Sequence, residues 1–173
     1  MSASDTVLEI AEESHLDALL PLVRAYHEFE RIRMSDAERA AAVRPLLQPG
    51  ASLGWIWLVR QLGEVVGYAA LCFGYSIEFR GRDAFVDELF IVEQARGRGL
   101  GSRLLERMKV EAARLGIVAL HLEVARSNSA ARRFYESIGF CARERYFLMS
   151  CDLSSADPCK GSRGEVAGGS PAV

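Results

Sequence analysis

The 173-residue chain is 50% hydrophobic and 25% charged, with a net charge of −2, a balance that suits one globular domain with a sizeable core. No apolar run reaches membrane-spanning length, the basic residues lack the exposed stacking aromatics of a nucleic-acid surface, and His15, His27 and His121 are too scattered for a metal site. Cys72, Cys141, Cys151 and Cys159 show no C-x-x-C spacing and read as reduced thiols, and with no basic-then-apolar leader the expectation is a cytoplasmic protein.

Residues 6–11 read as a first strand. Ser14 then stands where a helix cap is needed, with Asp17 at the third position, and Leu16, Leu19, Leu20, Val23, Tyr26 and His27 recur at helical spacing. Pro21 falls inside that helix and predicts a kink. A second helix is expected over 35–47, closed by Gln48-Pro49-Gly50. Residues 54–60 and 65–73 read as strands joined by a turn at Leu62-Gly63-Glu64. Trp55-Ile56-Trp57-Leu58-Val59 does not alternate, which predicts burial on both faces. Residues 74–83 extend the next hairpin, with the turn expected at 80–83.

The stretch 85–105 organises the rest. Phe85-Val86-Asp87-Glu88-Leu89-Phe90-Ile91 is an apolar run of strand length carrying two adjacent carboxylates, and Arg96-Gly97-Arg98-Gly99-Leu100-Gly101-Ser102 opens directly into an amphipathic helix. Glycines at every second position let a diphosphate approach the backbone amides. The helix N-terminus and Arg96, Arg98 and Arg103 add positive character. A P-loop would need Lys before Ser102, which is absent, and a dinucleotide fingerprint would need Gly where Ser102 stands, although Glu123 could imitate its ribose-binding acid. An acidic excess up to Glu88 and a basic excess beyond it suit a cationic partner and a polyanionic ligand respectively.

Leu100, Leu104, Met108, Ala112 and Leu115 form one buried stripe of that helix, and Gly116 ends it. Residues 117–124 follow as a strand, in the crossover that favours parallel pairing. Asn128 caps a short helix carrying Phe134, Tyr135 and Ile138, closed by Gly139. One or two strands are expected over 140–153, which completes a single domain over 1–153. The Ser, Gly, Pro and charged residues of 154–173 read as a mobile tail.

Arg96-Gly97-Arg98-Gly99-Leu100-Gly101 contains R-x-x-G-x-G, and Asn128 to Phe140 reads N-x-x-A-x-x-F-Y-x-x-x-G-F. In that order the two resemble the acyl-coenzyme A motifs of the GNAT superfamily of N-acetyltransferases. The resemblance implies an α/β (α+β) fold, with a mixed, mostly antiparallel sheet, a parallel pair at the cofactor site and flanking helices. It implies acetyl-coenzyme A as cofactor, no metal, and a small-molecule amine or a protein amine as acceptor. A homodimer is usual for the family.

The resemblance also implies roles. Phe90 or Ile91 would present a backbone N–H to the thioester carbonyl, and Val92 would bond the pantetheine arm. Gly97, Arg98, Gly99, Leu100, Gly101 and Ser102, with Arg96, would hold the diphosphate, and Asn128 would add a side-chain hydrogen bond. Tyr135 would protonate the departing sulfur. Asp87 or Glu88 would take the proton that an ammonium of pKa near 10.4 must lose, at about 4–5 kcal/mol at pH 7; adjacent strand residues face opposite sides, so one of the two is expected to reach the cleft. The first two helices would cover the acceptor, bringing Tyr26, His27, Glu28, Glu30 and Arg33 near its path, and Tyr75 and Glu78 would project over the pocket. The expected function is direct acetyl transfer to a primary amine in a ternary complex. A non-catalytic acyl-coenzyme A-binding regulator and a dinucleotide-binding oxidoreductase are the alternatives.

Overall fold

Strands whose side chains are apolar on both faces need cover on both, and this chain supplies it with two layers of helix. The computed structural model describes residues 6–50, 52–151 and 153. In chain order the elements are β1 (Thr6–Ile10), α1 (Leu16–Phe29), α2 (Asp36–Val43), β2 (Gly54–Gln61), β3 (Glu64–Ser76), β4 (Gly81–Ile91), α3 (Leu100–Arg114), β5 (Ile117–Leu122) and α4 (Ser129–Ser137). The sheet runs β1-β2-β3-β4-β5, antiparallel except for the parallel β4–β5 pair. No helix among the described residues is long and apolar enough to cross a membrane.

One core lies between the sheet and α3, where Trp57, Val59, Leu71, Val86, Leu89 and Ile91 meet Leu100, Leu104, Leu105 and Met108. The other lies on the opposite face, where Ile56, Leu58, Tyr68 and Phe90 meet Leu19, Leu22 and Val23 of α1 and Val43 of α2. Alternate residues of β2 serve alternate cores, which explains its unbroken apolar run. Leu115, expected on the buried stripe of α3, caps the helix and is partly exposed.

The helix ends differ from expectation in instructive ways. Ser14 does not cap α1; a short 3-10 turn, Glu13–His15, leads in, and His15 Nδ1 accepts the Glu12 amide at 3.0 Å. α1 runs unbroken through Pro21. The second helix is divided, because Pro45 cannot donate to the helical ladder: α2 stops at Val43 and a 3-10 turn, Arg44–Leu46, follows. The β3–β4 turn falls at 77–80, three residues earlier than expected. Gly81 is a strand residue, where a Cβ would stand 3.1 Å from the Val118 side chain on β5, while Arg80 takes the left-handed conformation at φ 58°.

Beyond α4 no strand forms among the described residues of 140–153. The charges that interrupt the apolar pattern there are spent on ion pairs, Arg143 with Glu78 at 2.7 Å and Glu144 with Arg132 at 2.6 Å, and Tyr146 N turns back to Arg143 O. The tail expected over 154–173 lies outside the described residues.

The feature that positions the site is a bulge in β4. Ala70 pairs with Glu88 but Leu71 pairs with Val86, so Asp87 is the extra residue of a bulge in the ladder. Val86 and Leu89 consequently face the same α3 core, and Glu88 and Phe90 turn to the α1 side. The pairing with β5 ends at Val86–Leu122. β4 therefore runs on from Asp87 to Ile91 with its far edge open, and the two parallel strands enclose a notch.

Candidate active site

At the end of that notch the chain turns through Glu93–Ala95, with Ala95 N donating to Val92 O at 2.9 Å. Arg96 is drawn back under the loop: its Nε donates to Ile91 O at 2.8 Å and its guanidinium lies 5.7 Å from the centre of the Phe90 ring. Gly97 and Gly99 then take left-handed conformations, φ 71° and 70°. A Cβ at either would meet nothing within 4 Å. Their role is therefore to set the loop's path and leave open space before its amides, and that space fits a diphosphate.

The first ladder bond of α3 is Arg103 N to Gly99 O at 3.1 Å, so the amides of Leu100, Gly101 and Ser102 precede the ladder and carry the helix's positive end. A cavity of about 200 Å³ lies here, floored by Ile91 and Ala95, walled by the 96–102 loop and closed by Phe134 of α4. Leu100 and Gly101 are themselves buried, so they can act only through the backbone, while Arg98 and Arg103 are exposed. A larger, shallow depression of about 490 Å³ near Leu8 and Arg107 lies along α3, away from the carboxylates.

The strand's register assigns its amides. Val92 N donates to Val66 O at 2.9 Å, which aims Val92 and, two residues back, Phe90 at β3. Leu89 and Ile91 N–H groups point the other way, into the notch. This corrects two expectations: Val92 has its amide engaged within the sheet, and the open-edge donors are Leu89 and Ile91 rather than Phe90. Leu89 was missed because sequence alone does not fix the parity of a strand.

Asp87, on the bulge, is exposed. Glu88 is half-buried and held at both oxygens: Tyr68 Oη donates to Oε2 at 2.6 Å, and His27 Nε2 lies 2.8 Å from Oε1. His27 is only 4% exposed, so it reaches Glu88 and not the open cleft. Tyr68 and Arg39, which also touch this group, went unnoticed because Tyr68 reads as one more apolar strand residue and Arg39 as solvated helix face.

Tyr135, on α4, is half-buried between Phe134 and Phe140, with ring centroids 5.1 and 5.9 Å away. Burial, followed by the field of the Glu30 carboxylate, pushes its phenol up to about 12. Burial likewise raises Glu30. Tyr26, edge-on to Phe90 at 6.2 Å, is raised by burial first and then by Glu30, Glu88, Tyr135 and Asp87, so the end of α1 faces both the β4 carboxylates and α4. Cys72, beside the bulge on β3, is pushed up to about 11 by burial and then by the two carboxylates.

Other expected residues lie elsewhere. Tyr75 pairs with Arg82, six strand residues or about 20 Å from Glu88, and is 72% exposed. Glu78 sits on the β3–β4 turn with Arg143. Glu28 and Arg33 are exposed; Asn128 caps α4 as expected, its Oδ1 accepting Ala131 N at 3.0 Å. Among the described residues no group of three or more His, Cys, Asp or Glu could hold a metal ion.

A mixed sheet whose single parallel pair parts beside a glycine-rich helix N-terminus is the arrangement that the resemblance to the acyl-coenzyme A motifs implied. The chain matches the sequence model of the Acetyltransferase (GNAT) family over residues 16–140 and belongs to that family. It is 33% identical over 131 residues to an uncharacterized N-acetyltransferase of Bacillus subtilis, covering 75% of this chain and 86% of the relative. It is 24% identical over 152 residues to the thialysine N-epsilon-acetyltransferase of Mus musculus, covering 79% and 84%. Among solved structures, the aminoglycoside N-acetyltransferase AAC(6')-Iy in complex with CoA superposes with a TM-score of 0.70 at 16% identity, covering 86% of this chain and 97% of that one. Family membership sets aside the dinucleotide-binding oxidoreductase.

Proposed function

We propose that the protein transfers the acetyl group of acetyl-coenzyme A directly to a small primary amine. The observation that carries this reading is the open edge of β4, which runs from two carboxylates at the bulge to the glycine-lined cavity at its end. Bound acetyl-coenzyme A supplies an already activated acyl group, held by the amides of the 96–102 loop and α3. Leu89 and Ile91 N–H groups on the open edge serve as fixed donors where negative charge develops.

The amine arrives as an ammonium ion and must be deprotonated. Asp87 and Glu88 offer the carboxylates for that proton, and with Glu30 at the end of α1 they make an acidic wall that favours a cationic acceptor, beside the neutral Tyr26 phenol. The mouse relative's thialysine, an amine on a flexible chain, is of the kind such a wall would admit. Tyr135 keeps its proton at neutral pH and gives it to the departing sulfur. Direct transfer is favoured over an acetyl-enzyme because Cys72, the thiol beside the carboxylates, is pushed away from the thiolate form that a nucleophile needs. Thiol release from acetyl-coenzyme A against a panel of amines tests the reading. Release with one class of amine supports it, whereas binding without release to any amine would leave a regulatory module.

A further inference from the structure

The polar groups buried on the α1 side of the sheet form one continuous chain. Arg39 is 8% and His27 4% exposed. Arg39 Nη1 donates to Asp36 Oδ1 at 2.7 Å, and Asp36 is also held by Arg24 Nε at 3.0 Å. Arg39 Nε lies 3.3 Å from His27 Nδ1. A guanidinium has only donors, so the imidazole nitrogen facing it accepts, and the ring's proton sits on Nε2. Nε2–H then donates to Glu88 Oε1 at 2.8 Å while the Tyr68 hydroxyl holds Oε2 at 2.6 Å.

We infer that His27 is a positioning residue for Glu88, with Arg39 selecting the tautomer that makes it one. The inference rests on the acetyl-transfer reading and deepens it. A glutamate side chain has three rotatable bonds, and left alone on a strand it would sample several rotamers. Donors from α1 and β3, one on each oxygen, fix the plane of this carboxylate and leave its outward lone pairs to the incoming amine. The helical hairpin that covers the acceptor thereby also sets the geometry of the group that meets it. His27 itself stays behind Glu88, out of the substrate's reach.

Nitrogen NMR on the full chain labelled at histidine reads the tautomer directly: Nε2 protonated and Nδ1 bare is expected, and the opposite tautomer overturns the inference. Two variants separate positioning from packing. His27→Leu keeps the volume but neither hydrogen bond, whereas His27→Gln can donate to Glu88 and accept from Arg39. The leucine variant is expected to lower kcat about 10- to 100-fold with the KM for acetyl-coenzyme A and the Kd for coenzyme A unchanged, and the glutamine variant to recover most of that loss. Unchanged kcat in His27→Leu, equal loss in both variants, or a loss of coenzyme A affinity matching the loss of turnover would each overturn it. If the leucine variant does not fold, the glutamine variant and the tautomer decide. If the unsubstituted protein transfers to no amine, the acetyl-transfer reading fails, and the NMR result still decides whether Arg39 and His27 hold Glu88.

Discussion

Replacing Gly99 by alanine should separate stability from affinity. Gly99 holds φ 70° at the start of α3, where a Cβ costs about 1–2 kcal/mol of backbone strain. No steric term adds to that, since the new atom would meet nothing within 4 Å, in contrast to Gly54, whose Cβ would lie 2.1 Å from Leu71 O. In a domain of this size such a loss lowers Tm by roughly 2–8 °C. The same methyl would occupy the space before the amides of Leu100, Gly101 and Ser102, so the affinity for coenzyme A should fall at least about ten-fold, or about 1.4 kcal/mol. Thermal melting gives the first quantity and isothermal titration with coenzyme A the second. A variant that melts lower as worked out here but binds coenzyme A as tightly as the parent would refute the assignment of those amides to the diphosphate.

Tyr135→Phe should reduce kcat by about 10²-fold or more while the Kd for coenzyme A stays within about two-fold, as single-turnover and titration measurements would show; equal turnover removes the acid role. Because its folded pKa is raised to about 12 from about 10 when unfolded, the stabilisation tied to Tyr135 is fully present below pH 10. It is lost as pH rises through 12, so pH-rate profiles between 6 and 9 should carry no alkaline limb from this residue. Ser35→Ala removes the side chain that accepts the Glu38 amide at 3.3 Å and breaks the capping box of α2, which should lower stability by about 1 kcal/mol in a urea melt. Leu104→Ala, in the fully buried seam between α3 and the sheet, should cost about 2–5 kcal/mol by the same measure.

The parts of the molecule that were legible in sequence are those whose physics is local. The glycine-rich turn into α3, the Asn128 cap and the apolar stripe Leu100, Leu104, Met108 each depend on neighbours within a turn or two. The parts that were not legible depend on partners far along the chain. Glu88 and His27 lie 61 residues apart, and nothing around either predicts that α1 will lay one against the other. Every residue from Phe85 to Ile91 is a passable strand residue in either parity, so the bulge that decides which amides face the notch left no mark. Gly81 misled in the opposite way: it begins β4, beside Val118 across the sheet, and does not lie in the turn.

The surplus residue in β4 puts the strand's two halves out of phase, so length and composition matter differently there. A substitution at Asp87 leaves the phase intact. Deleting Asp87 would restore ordinary alternation and leave every other side chain on its present face, whereas one further residue added to the ladder there would send Leu89 and Ile91 toward α1 and press Glu88 and Phe90 into the leucines of α3. The frame of this segment is therefore indifferent to loss of the surplus residue but not to gain of another, while the 77–80 turn at the strand's other end, exposed and outside the ladder, can lengthen without disturbing it.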